Sequence, residues 1–164
     1  MESSVEADKL GWCSKGLPRA CRGGAIFRDG QGGCVGCFAS YFNIQDSLYA
    51  GVLAAIIVVQ VTYSKGWYLI WLECDSTSVV EIFMGSKPVP WKLSNLMNKC
   101  MNTMLDMQVK VSHIFREGNA CADKLANFAV NSRSDSWWNY PPSFIYHEFN
   151  RNLLLLPNYR FRSL

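Results

Sequence analysis

The stretch YLIWLECDSTSVVEIF, residues 68–83, decides the fold. An apolar run ends at Leu72, Glu73, Cys74, Asp75 and Ser76 follow, and a second apolar run begins at Val79. So short and wholly apolar a segment reads as a central parallel strand covered on both faces. The continuation reads as a helix, with Ser78 and Glu81 at capping-box spacing. In open α/β sheets, ligands gather outside the carboxyl ends of the strands, and Asp75 stands at such an end. It either caps the helix or offers oxygen to a hard cation.

Upstream, residues 47–67 (SLYAGVLAAIIVVQVTYSKGW) are too uniformly apolar for periodicity to decide, but their length and the Lys65-Gly66 stop predict a buried helix. Residues 22–42 read as a β-hairpin turning at Asp29-Gly30. Downstream, Pro88 and Pro90 break the chain, and Leu93, Leu96, Met97, Cys100, Met104 and Leu105 form a helical stripe. Val109, Val111, His113 and Phe115 then alternate as on a strand, and residues 120–130 form an amphipathic helix with Asn119 as its cap. The order hairpin, helix, strand, helix, helix, strand, helix predicts an α/β sheet with helices packed on it. Residues 133–164 are aromatic and Pro-rich without a period, and are expected to wrap the body as a C-terminal extension.

With 164 residues, 49% of them hydrophobic and 18% charged, the chain suits one globular domain plus an appendage and argues against disorder. The longest strictly apolar run, residues 52–59, falls short of the about 18 residues that span a bilayer, so no membrane partner is expected. The acidic opening MESSVEAD is unlike a signal peptide, and seven scattered cysteines read as reduced thiols. Together these predict an intracellular protein, with nucleus and cytoplasm not distinguished; the oligomeric state is left open, with a monomer favoured. Cys34 and Cys37 are the one close pair, and with only two histidines in the chain they read as strand thiols rather than half a zinc site. The net charge of +3 is supplied by Arg151, Arg160 and Arg162, leaving the body neutral. Any nucleic-acid contact must therefore be local.

Asp75, Asp123 and His113 are the candidate site residues. Asp123 opens the last helix and His113 sits on the strand before it, so two carboxylates and an imidazole from separate elements could surround one cation. The alternatives are plain: Asp75 as a cap, Asp123 favouring its own helix dipole, and His113 as a core residue sharing the parity of Val109 and Val111.

The segments WLECDSTSVV (71–80) and VSHIFREGNACADKLANFAV (111–130), with GGAIFRDGQGGCVGCFA (23–39) before them, resemble the plant ribonuclease H-like domain associated with retroelement reverse transcriptases. The likeness covers about residues 11–132. It implies a ribonuclease H-like fold, a mixed five-stranded sheet flanked by helices on both faces. It also implies an ancestral Mg²⁺-dependent endonuclease cutting the RNA strand of an RNA–DNA hybrid, with four carboxylates on two ions and a histidine assisting. Asp75 and Asp123 match two of those carboxylates and His113 the histidine. The other two positions fall on Gly11 and Gly51, which offer no ligand.

Two carboxylates set −2 against the +4 of two Mg²⁺, so weak or absent Mg²⁺ binding and weak or no catalysis are expected. Asp8 could stand in for the first acid, although residues 3–12 lack the alternation of a central strand. A first strand encoded upstream would explain Gly11 but not Gly51. The resemblance thus predicts a nucleic-acid-binding domain for RNA–DNA hybrid or double-stranded RNA. The alternative is a non-catalytic, retroelement-derived protein-interaction domain or remnant.

Overall fold

The computed structural model describes residues 5–8, 21–44 and 46–151. Gly11, Arg160 and Arg162, which the sequence reading singled out, lie outside the described residues. Six strands, β1 (Val5–Asp8), β2 (Cys21–Arg28), β3 (Cys34–Ile44), β4 (Leu69–Cys74), β5 (Gln108–His113) and β6 (Ser136–Trp138), form one sheet in the order β5-β4-β1-β2-β3-β6. β1, β4 and β5 run parallel, and β2, β3 and β6 add antiparallel.

The first strand is therefore present. β1 lies mid-sheet, with Val5 to Asp8 level with Ile70 to Glu73 of β4 and with Glu6 and Ala7 opposite Arg28 and Phe27 of β2. This corrects the expectation that residues 3–12 lack a central strand: four residues held between two partners need no alternation of their own, because neighbours on both sides supply the hydrogen bonds. The sheet also has one strand more than the five expected, since β6 pairs with the β3 edge at Cys37–Ala39.

Helices cover both faces. Helix α1 (Ser47–Ser64) starts at Asp46, whose carboxylate accepts the Tyr49 N–H, and Ala54, Ala55, Val58 and Val59 pack into a core with Ala25, Phe27, Phe38, Ile70 and Leu72. By length and composition α1 would also satisfy a membrane span, yet half of it is buried inside the domain. Helices α2 (Thr77–Phe83) and α3 (Ser94–Met104) join the same core through Val79, Ile82, Met97 and Cys100. Helix α4 (Ala120–Ser132) lies on the opposite face, where Cys121, Leu125 and Ala129 meet Ile26, Cys37, Ala39 and Ile145. Contact there is close because Gly24 has no side chain: a Cβ on it would stand 2.7 Å from the Ala126 nitrogen and 2.8 Å from the Ala122 oxygen.

Three local readings are corrected. The helix after β4 is capped by Ser76, whose hydroxyl accepts the Val79 N–H at 3.4 Å, not by Ser78. The hairpin turn is wider than two residues: Asp29 accepts N–H bonds from Gln31 (3.0 Å) and Gly33 (2.8 Å), and Gly32 takes φ +84°. Finally, β4 is buried on one face only. Trp71 on its other face donates to the Ser112 hydroxyl at 2.6 Å and lies under the Lys110 ammonium at 4.1 Å, so a polar rim replaces the expected second cover.

Beyond α4, Arg133 adopts a left-handed conformation that ends the helix, and the Asp135 carboxylate accepts the Tyr41 N–H. Phe128, Trp138 and Phe144 then form one aromatic cluster with ring centroids 4.9–5.7 Å apart. Residues 146–151 are helical, and Glu148 pairs with Lys124 of α4 at 2.8 Å.

Candidate nucleic-acid interface

The parallel register of β4 and β5 places Cys74 beside His113, so Asp75 and His113 leave the sheet together. The His113 ring Nε2 lies 3.2 Å from the Asp75 main-chain oxygen. A carbonyl only accepts, so this contact assigns the proton to Nε2 and leaves Nδ1 as the acceptor of the neutral ring. His113 is exposed and stacks edge-on against Phe115 at 5.4 Å, which corrects its reading as a core residue: the strand has run out of covering helix by position 113. Because Ser76 supplies the capping bond of α2, the half-buried Asp75 is not that helix's cap.

Asp123 is half-buried in the first turn of α4, the turn that Ala122 and Ala126 press onto Gly24 of β2. The structure thus joins Asp75 to His113 and sets Asp123 on a helix over a strand two places away in the sheet. Among the described residues no group of three His, Cys, Asp or Glu side chains could hold a metal ion. Gly51 is buried within α1 and provides no carboxylate. At the backbone level, Asp8 of β1 stands opposite Glu73, two residues before Asp75. Asp8 was weighed from the sequence as a stand-in for the first acid; its place opposite Glu73 was not legible, since a four-residue strand without alternation gives no signal.

Cationic side chains outside this corner include Lys92 and Lys99, both exposed on the segment that leads into and along α3. Trp91, 80% exposed, stands next to them with the Lys92 ammonium 5.6 Å from its ring. The sequence reading did not single out the indole. Its one signal was a Trp set between Pro90 and Lys92, where no apolar period required it.

A family model described as reverse transcriptase-like matches residues 11–129. The chain belongs to that family. Solved structures similar to this reverse transcriptase-like domain are ribonucleases H. RNase H1 from Halobacterium salinarum superposes with TM-score 0.68 at 23% identity, over 79% of this chain and 98% of the other. The RNase H domain of a Mycobacterium tuberculosis protein gives 0.69 at 20%, over 79% and 95%. LC11-RNase H1 gives 0.67 at 21%, over 79% and 96%, and was solved in complex with an RNA/DNA hybrid. No curated protein matches the sequence. The domain is RNase H-like in fold, as the resemblance implied.

Proposed function

We propose that this RNase H-like domain binds RNA–DNA hybrid through its fold's nucleic-acid face and does not cut it efficiently. The single observation that supports the reading is the make-up of the acidic corner. Asp75 and His113 are joined, the resemblance puts a family acid at the position of Gly51, and no three-ligand group exists among the described residues. These residues do not favour a two-Mg²⁺ centre: two dications close together require about four carboxylates to offset their repulsion, Asp75 with Asp123 offers two, and Asp8 at the end of β1 would bring the set to three. At most one hydrated Mg²⁺ is held weakly, and no catalytic step is assigned to it.

A similar fold that was solved on an RNA/DNA hybrid supports hybrid as the ligand. Recognition then rests on phosphate contacts from Lys92 and Lys99, with Trp91 available to a sugar or base face, and the neutral body makes these few charges count. An anisotropy titration of labelled RNA–DNA hybrid at several salt concentrations tests this. With Lys92 and Lys99 each engaging a phosphate, the logarithm of affinity falls by about two per decade of salt. Absent or salt-independent affinity would overturn the reading in favour of a protein-contact domain. A parallel titration with double-stranded RNA decides whether the DNA strand is read.

A further inference from the structure

The turn that joins α1 to β4 gathers aromatic rings at the end of the sheet opposite the acidic corner. All of β4 lies between Tyr68 and Asp75, so about 20 Å of strand separates the two places. Lys65 is the C-cap of α1, and Gly66, at φ +76° with open space around it, reverses the chain. Across that turn the Tyr63 and Tyr68 rings meet at 5.5 Å, and these residues are 39% and 50% exposed. Trp67 of the same turn and Trp137 of β6 both rest on the fully buried Phe27, at 5.8 and 5.6 Å. The Lys65 ammonium stands over both indoles, 5.6 Å from the Trp67 ring and 4.7 Å from the Trp137 ring.

Scattered exposed rings need no explanation, but rings gathered in one place around a cation mark an interaction surface. The indoles are held by the core and the tyrosines hold each other, so a ligand that stacks there pays little to order them. The chemistry of the patch also selects its ligand. It offers π faces and one ammonium on a body whose charge is close to zero, which complements an anion that carries stacking rings. A duplex hides its base faces inside the stack, whereas an unpaired strand presents both bases and phosphates.

We propose that this patch is a second nucleic-acid site, which takes a single strand by stacking bases on Tyr63, Tyr68 and Trp137 with Lys65 at a phosphate. It does not depend on hybrid binding near the acidic corner, and the separation of about 20 Å along β4 lets the two sites be filled together.

The test titrates the full chain into a fluorescein-labelled oligothymidylate of about a dozen nucleotides, which has no structure of its own, and follows anisotropy. Saturable binding is expected, and it persists in an excess of unlabelled blunt RNA–DNA hybrid. Tyr68→Ala, at a half-exposed ring, is expected to weaken single-strand binding at least about fivefold with an unchanged circular dichroism spectrum and unchanged affinity for the hybrid. Lys65→Ala lowers the salt slope of single-strand binding by about 0.7. Absence of saturable binding by the wild type overturns the proposal without needing any variant to fold. Displacement of the oligothymidylate by hybrid, or wild-type affinity in both Tyr63→Ala and Tyr68→Ala, places the single strand elsewhere and overturns it as well. A concentration-dependent dimer in sedimentation that Tyr68→Ala abolishes, without single-strand binding, gives the patch to a second copy of the chain instead.

Discussion

Single residues carry the closest packing and the acidic corner. Leu125 is fully buried under α4 against Ile26 and Cys37, so Leu125→Ala is expected to cost about 2–5 kcal/mol in urea denaturation. A Cβ at Gly36 would come within 2.5 Å of the Trp137 ring, which itself lies 5.6 Å from Phe27. Gly36→Val therefore wedges the indole off the sheet, with a loss of about 1–3 kcal/mol by the same measurement. At this scale the sequence was informative about identity and less so about role. Asp75 was legible as a strand-end acid, yet Asp75, Ser76, Thr77 and Ser78 are all good caps, and only the fold selects Ser76. The exposure of His113 was hidden by its parity with Val109 and Val111, because alternation gives the side of a strand and not where its cover stops.

Among the elements, the long helices and the parallel pair β4–β5 were legible because each has either length or a continuous apolar run. β1 and β6 were not. Their three or four residues hold their place through pairing, β1 between β4 and β2, and β6 on the β3 edge, so the information is in their neighbours. β6 also shields the main-chain groups of β3 that an open edge would offer to another chain. The helical turn 146–151 is attached partly by the Glu148–Lys124 pair at 2.8 Å. Burial disfavours the Glu148 charge, but the hydrogen bond and charge of Lys124 outweigh it and lower its pKa. The sign follows: a carboxylate lowered on folding stabilises above its unfolded value of about 4.3, and that contribution is lost as pH falls through the lowered value. Cleavage by an acid protease within 146–151 is expected to accelerate below about pH 4 in the wild type. In Glu148→Gln cleavage there by a neutral protease should be faster already at pH 7, and the acid cleavage should depend less on pH.

At the scale of the whole molecule, the sheet, its two helical layers and the family match describe an RNase H-like body whose general charge is close to zero. On the proposed reading, affinity for nucleic acid then depends on a few local cations. Replacing Lys92 or Lys99 with Ala is expected to lower hybrid affinity uniformly across sequences and to reduce the salt slope by about one each. Among the described residues no three ligands gather for an ion, and on the proposed reading holding a hybrid and cutting it are separable. The most direct measurement is incubation of an end-labelled RNA strand, annealed to DNA, with saturating pure protein in Mg²⁺ or Mn²⁺, followed by native and denaturing gels of the same samples. A slowed native band with full-length RNA is the predicted result. Fragmented RNA that becomes intact again in Asp75→Asn would contradict the account.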